Sequence, residues 1–346
     1  MSESKIVLYI GRNALENIAI FDEYFPNLHH ITKNHSILCL DLTEQELDEI
    51  LDDVEGDLSQ FCLKNNIKTV PLKEYFNAIK EDSSLIVDKP RAIFFLNISS
   101  DEAKMLSEKY GVIIQSESNI DDNILQLSFR KSLDKGDVVK GNSDGWSNLL
   151  SAQKLPPLNS LIITDNYLLQ NELNGKLIGF ENLKMVLNAV LPQKLDTVFH
   201  LLIVAPMPHK IRPEKADQLN GMLKAYLKTI RPYDFQLEFV FNNTIHARKI
   251  LSNYFVIIGD KGFQLFHPSL NTTVYDDNEI SVVSILHDTK STSGDSVLAI
   301  TYKDLAKIRK GCITLREQII GGVKDPTKKI IGDTDKDKSI RNRLLI

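Results

Sequence analysis

Phe239–Phe266 reads FVFNNTIHARKILSNYFVIIGDKGFQLF, and the way its apolar runs alternate with polar breaks decides the fold class of the chain. Phe239 and Phe241 close a run in which Phe235, Leu237, Phe239 and Phe241 alternate with Gln236, Glu238 and Val240, the period of two of a half-buried strand. A second apolar run, Ile250–Ile258, leads to the tight-turn sequence Gly259-Asp260-Lys261-Gly262 and back into Phe263–Phe266, which predicts a hairpin-like strand pair. Between the two runs stand His246 and Arg248 and, after four further residues, Asn253. On a strand, His246 and Arg248 project from one face, which sets an imidazole beside a fixed cation.

Working outward, helical and strand periodicities alternate. Pro213 opens a helix in which Leu219, Met222, Leu223, Tyr226, Leu227 and Ile230 recur at spacings of three and four before Arg231-Pro232 ends it. Val198–Ala205 is a strand, and Phe180–Leu191 is a helix stopped by Pro192. Asn159–Asn166 is a strand that delivers Asp165, Asn166 and Tyr167 at its carboxyl end, the end that borders the ligand crevice in open α/β sheets. Downstream, Ser281–Leu286 is a strand ending in His287-Asp288, and Tyr302–Ile320 is a helix closed by Gly321-Gly322.

The first half carries the same alternation. Strands are expected at 5–10, 36–42, 67–72, 91–98, 112–115 and 124–129. Helices are expected at 44–54, 58–64, 73–81 and 102–110. Thr43 and Glu46 form a capping-box pattern, and Ser99-Ser100-Asp101 and Gly111 bracket the last helix. The chain is therefore expected to be α/β, with an acidic interaction or regulatory domain at 1–131, a Gly, Ser and Pro-bearing linker at 132–157, an α/β domain at 158–322 and a charged tail at 323–346. The tail is expected to be mobile or ordered by a partner. Trp146, the sole tryptophan, is expected to pin the linker to a domain surface.

With 346 residues and 42% hydrophobic content, the chain can bury two ordinary cores. No apolar run reaches the roughly 18 residues that cross a bilayer, and the N-terminus lacks signal-peptide order, so no membrane span and a cytoplasmic location are expected. Cys39, Cys62 and Cys312 are isolated and read as buried thiols. No GxGxxG or GxxxxGK[ST] fingerprint follows Gly11, and the loop-like group His29, His30 and His35 has no carboxylate or cysteine to complete a ligand set. Neither a cofactor nor a metal is expected. The net charge of −5 is split, with −10 in residues 1–157 and +5 in the remainder. Such a split favours phosphate-bearing ligands or an acidic protein surface at the basic C-terminal end.

The motif residues His246-Ala-Arg248-Lys249-Ile-Leu-Ser-Asn253 resemble a degenerate HxK(x)4D motif of the phospholipase D superfamily. The resemblance covers residues 158–320 in element order and extends to the noncatalytic phospholipase D-like C-terminal domains of some MIT-domain proteins. It implies a nucleophilic role for His246, with His287 as a candidate second histidine, and phosphate binding by Arg248, Lys249, Asn253 and Lys261. One motif is present instead of two, Asn253 stands where the family has Asp, and Arg248 replaces Lys with a planar fork suited to durable phosphate binding. The expectation is thus a phosphate-recognising, nucleic-acid-binding protein without turnover. The alternatives are a homodimeric metal-independent phosphodiesterase using His246, and a protein-interaction component of a bacterial assembly.

Overall fold

In a computed structural model, residues 5–124, 126–137, 145–151, 153–173, 175–207, 213–242, 247–267, 272–287, 295–325, 327–334 and 337–345 are described. The chain is α/β and divides into two compact units, residues 1–126 with 286–299 and residues 127–285 with 300–346. Among the described residues, no helix is long and apolar enough to cross a membrane.

The first unit runs β1 (Ile6–Ile10), α1 (Arg12–Ile20), α2 (Pro26–His35), β2 (Ser36–Leu40), α3 (Glu44–Asp52), α4 (Asp57–Lys64), β3 (Lys68–Pro71), α5 (Lys73–Glu81), β4 (Ala92–Leu96), α6 (Ser100–Tyr110) and β5 (Ile113–Ser116). Its five strands form one parallel sheet in the order β3-β2-β1-β4-β5. The central strands read as continuous apolar runs because both faces of a parallel sheet are covered; all five residues of β4 are buried. Local signals set the helix ends. Thr43 and Glu46 close the capping box of α3, Ser99 caps α6, and Gly111 ends α6 in the left-handed region at φ 64. The histidine segment is not a loop: Pro26 starts α2, whose buried Leu28, Ile31 and Thr32 share one face.

The second unit runs β6 (Ser128–Leu133), α7 (Gly145–Leu150), β7 (Ser160–Thr164), the short hairpin β8–β9 (Glu172–Leu173 and Lys176–Leu177), α8 (Ile178–Val190), β10 (Phe199–Ala205), α9 (Pro213–Ile230), β11 (Phe235–Phe241), β12 (Lys249–Ser252), β13 (Phe255–Gly259), β14 (Asn278–Ser284), α10 (Val297–Ile320, of which residues 300–320 belong to this unit) and β15 (Lys329–Gly332). Eight of these strands form a mixed sheet in the order β15-β11-β10-β7-β12-β13-β14-β6. β7, β10 and β11 are parallel and the other pairings are antiparallel. Leu237, Phe239, Phe241 and Ile250 join the apolar core with residues of α8 and α9. Glu238 and Lys249, of the opposite parity, face α10, where Lys249 Nζ meets Asp304 at 2.6 Å.

Several expectations are corrected here. The expected linker is part of the second unit: β6 pairs with β14, and Trp146 is fully buried, edge-on to Phe266, with its indole N–H donated to Asn182 Oδ1 at 2.9 Å. An indole fits a core where its N–H has a partner. The strand expected at 124–129 starts later, at Ser128. Ile250–Ile258 is two strands, because the chain reverses at Asn253-Tyr254 and β12 pairs back onto β13. Phe263–Phe266 is buried but lies outside the named strands.

The charged tail is also built in. β15 pairs antiparallel with β11. Beyond it, Asn342 is fully buried, donates to Leu161 O at 3.0 Å and His200 O at 3.2 Å, and accepts from Ser160 Oγ at 2.9 Å. Glu238, 1% exposed, accepts the Arg341 backbone N–H at 2.8 Å. Burial pushes its carboxyl up to about 7, against the pull of the Arg341 N–H and charge. The folded chain therefore holds this proton to a higher pH than the unfolded chain, which releases it near 4.5. Stability from this group is full below pH 4.5 and falls as pH rises towards and through 7, by about 3 kcal/mol in total. Urea unfolding at pH 4.5 and pH 8 should show this loss in the wild type and its removal in Glu238→Gln. An identical pH dependence in both proteins contradicts the assignment.

Candidate functional site

β7 ends at Thr164, and the next residue, Asp165, carries a carboxylate that is 1% exposed. Its Oδ1 accepts the N–H of Tyr167 at 2.8 Å and its Oδ2 accepts the N–H of Phe263 at 2.9 Å. One side chain thus joins the turn after β7 to the turn after β13. Burial raises the Asp165 carboxyl, while the two N–H groups and the nearby Arg248 charge oppose that rise. Gly262 makes the close approach feasible: its φ is +86, and a Cβ there would stand 2.9 Å from Asp165 Oδ1.

Arg248 precedes β12 and lies over the Tyr167 ring, 4.7 Å from its centroid. Its Nη2 donates to Tyr167 Oη at 3.0 Å and its Nη1 donates to the Asp260 carbonyl. A guanidinium stacked on a phenol and tied at two points loses little further freedom on binding. Beside it, Gln264 Nε2 donates to Tyr167 O, and Asn171 Nδ2 donates to Gln264 Oε1 at 2.7 Å and to Tyr275 Oη at 3.0 Å. Lys261 Nζ donates to the Asp276 carbonyl. Tyr167, Asn171, Arg248, Lys261, Gln264 and Tyr275 together line a cleft of about 250 Å³. Among the described residues, neither Arg248 nor Lys261 forms a salt bridge to a carboxylate. Two cations and several amide and hydroxyl groups facing one cleft can hold an oxyanion.

The other expected residues are placed elsewhere. Lys249 points to the opposite face of the sheet and is bridged to Asp304, so its charge is already matched. Asn253 is fully buried: Oδ1 accepts the N–H groups of Asn159 and Ser160 at 3.3 and 3.2 Å, and Nδ2 donates to Asn159 Oδ1 at 3.1 Å. It is a hydrogen-bonded part of the β12–β13 turn and not a phosphate ligand. Asp165 is likewise the frame of the cleft and not one of its lining groups, and the carbonyl of Asn166 accepts from Gln170 at 2.7 Å. Tyr167 does line the cleft. His246 lies outside the described residues. His287 falls in the stretch that belongs to the first unit.

Asn171, Gln264 and Tyr275 were not expected. Gln264 left a signal, a lone polar residue inside the apolar run Phe263–Phe266; Asn171 and Tyr275 left none, because they reach the cleft through loops. In the first unit, the carboxyl ends of β1 and β5 are closed by protein groups. Glu117 hydrogen-bonds the Gly11 N–H, and a Cβ at Gly11 would stand 2.0 Å from Glu117 Oε1. Asp41 and Lys80 are 3.5 Å apart beyond them. His29 is tied through Nδ1 to Ile18 O at 3.0 Å, and no cluster of three or more metal-ligating side chains is found among the described residues.

No protein-family model matches the sequence, and no curated protein matches it.

Replacing Asn253 with Ala leaves two buried backbone N–H groups without their acceptor and should destabilise the chain by about 2–4 kcal/mol. Lys261→Ala, at an exposed position, should change stability by no more than about 0.5 kcal/mol. Urea denaturation checks both, and equal, small effects contradict the structural role given to Asn253.

Proposed function

We propose that the second unit is a phosphate-recognising module that binds its ligand in the Arg248–Lys261 cleft without turning it over. The observation that carries this reading is the guanidinium of Arg248. It is stacked on Tyr167, fixed at two points and unmatched by a carboxylate salt bridge among the described residues, beside a second cation in the same concavity. Lys249, one residue away, shows the contrast, because Asp304 already balances it. The resemblance of His246–Asn253 to a phospholipase D motif agrees with a phosphate ligand. The buried, structural role of Asn253 supports binding over catalysis, since its amide supplies no negative charge to orient a histidine.

The ligand of this reading is a phosphodiester or phosphomonoester whose non-bridging oxygens accept from Arg248 and Lys261. Tyr275, Asn171 and Gln264 offer a ring and amide groups to whatever the phosphate carries. Arg248→Ala should weaken binding of a labelled single-stranded oligonucleotide by about tenfold and lower the slope of log affinity against log salt by about 0.7, one phosphate contact. Arg248→Lys should restore the slope more than the affinity, because the point charge returns without the stacked fork. Fluorescence anisotropy across a salt series reads both quantities. Unchanged affinity in Arg248→Ala contradicts the reading, and oligonucleotide cleavage abolished by His246→Ala replaces it with catalysis.

A further inference from the structure

The hydrogen bonds around the Arg248–Lys261 cleft leave a countable set of polar groups open to a ligand. A guanidinium has five N–H groups; Arg248 engages one on Nη1 with the Asp260 carbonyl and one on Nη2 with Tyr167 Oη, so three remain. Tyr167 Oη is the acceptor of its bond, and its own O–H proton remains as well. The Lys261 ammonium gives one of its three N–H groups to the Asp276 carbonyl and keeps two. Arg248 reaches the carbonyl of the residue that precedes Lys261, so the guanidinium lies beside the backbone from which the ammonium extends. Among the described residues, three side chains lining one cleft thus hold six unused donors.

The amides of the cleft orient one another. The Tyr167 carbonyl can only accept, so Gln264, which is 1% exposed, presents Nε2 to it and turns Oε1 the other way. Gln264 Oε1 then accepts from Asn171 Nδ2 at 2.7 Å and from Tyr275 Oη at 3.3 Å. Asn171 Nδ2 gives its second hydrogen to Tyr275 Oη at 3.0 Å. Asn171 Oδ1 is left as an acceptor with no partner among the described residues, next to the half-buried ring of Tyr275. The carboxylates of Asp165, Asp260 and Asp276, on the same turns, accept backbone N–H groups and form no salt bridge with either cation among the described residues.

We infer that the cleft takes the phosphomonoester of a nucleotide, as a free mononucleotide or as the phosphorylated end of a strand, in preference to the phosphodiester within a strand. This rests on the phosphate-recognition reading and narrows it. A monoester offers three terminal oxygens and a charge of about −1.5 to −2 at pH 7, which matches two cations and their six donors. A diester offers two such oxygens and a single charge, so it satisfies part of the site and binds more weakly. A dianionic phosphate has no proton to give, so Asn171 Oδ1 is matched only by a hydroxyl or N–H on the group that the phosphate carries. A nucleotide supplies both, and its base can stack on the Tyr275 ring. At about 250 Å³ the cleft is smaller than the roughly 300 Å³ at which sites for drug-sized ligands begin, which limits it to about one nucleotide.

The test is isothermal titration calorimetry of the full chain with thymidine 5′-monophosphate, its phosphate methyl ester, inorganic phosphate and phosphoserine. At pH 8 the monophosphate should bind at least about tenfold tighter than the methyl ester, and at pH 5, below its second pKa of about 6, the preference should shrink to about threefold or less. The methyl ester keeps one charge throughout, so it reports any titration of the protein's own groups. Lys261→Ala should reduce the preference at pH 8 to about threefold, and Arg248→Ala should weaken both ligands about tenfold. Equal affinity for the two esters at pH 8, lost in Arg248→Ala, overturns the preference and leaves phosphate recognition standing. No binding that depends on Arg248 overturns both. Inorganic phosphate or phosphoserine binding as tightly as the monophosphate overturns the nucleotide. A thymidine 12-mer separates the two sources. Tighter binding of its 5′-phosphorylated form than of the mononucleotide and the 5′-hydroxyl 12-mer assigns the cleft to strand ends, and weaker binding than the mononucleotide assigns it to free nucleotides. Equal binding of both 12-mers, each tighter than the mononucleotide, overturns the inference.

Discussion

The carboxylate of Asp165 is the constraint on which the cleft depends. It has been taken out of water at the end of β7 and given two backbone N–H groups, those of Tyr167 and Phe263, in exchange. A buried acceptor with two donors is costly to disturb, because any departure leaves either the carboxylate or the amides unsatisfied. The consequence is that the turn carrying Tyr167 and the turn carrying Gly262 are held in one arrangement. Tyr167 then supplies the surface on which Arg248 lies, and the segment after Gly262 supplies Gln264. The geometry of the cleft follows from a group that does not itself line it.

The same stretch of chain separates charges that are matched inside the fold from charges that are not. Successive residues Arg248 and Lys249 go to opposite faces of the sheet. Lys249 meets Asp304, so a ligand would have to compete with a carboxylate at 2.6 Å. Arg248 meets a ring, a hydroxyl and a carbonyl, all of which orient it, and among the described residues no carboxylate forms a salt bridge with it. Asn253 illustrates a further case, a polar residue at a motif-like spacing whose side chain is hydrogen-bonded within the fold. A polar residue at a familiar spacing is therefore weak evidence of a ligand until its partners are known.

Much of the architecture was legible in the residues. The alternation along Phe235–Phe241, the periodic stripe of α9, the capping box at Thr43 and the glycine after α6 each state a local preference that packing did not override. The misreadings have physical causes. The segment holding Trp146 has the Gly, Ser and Asp content of a linker, but the indole and the apolar Leu149 and Leu150 outweigh that composition. The tail looked unstructured because its lysines dominate, yet the pair Ile330-Ile331 is enough to pair with β11 as an edge strand. α2 was hidden by its histidines, although Pro26 marked its first turn. At the cleft, Arg248, Lys261 and Tyr167 could be named in advance from the motif and the strand end. Asn171 and Tyr275 could not, since their convergence depends on tertiary contacts between loops.

The most direct test of the central claim is a crystal structure of the full chain soaked with a thymidine dinucleotide. Its phosphorus should be found between the Arg248 guanidinium and the Lys261 ammonium, with the Arg248–Tyr167 stack and both Asp165 hydrogen bonds unchanged. A dinucleotide bound elsewhere, with the Arg248–Lys261 cleft empty, would contradict the account.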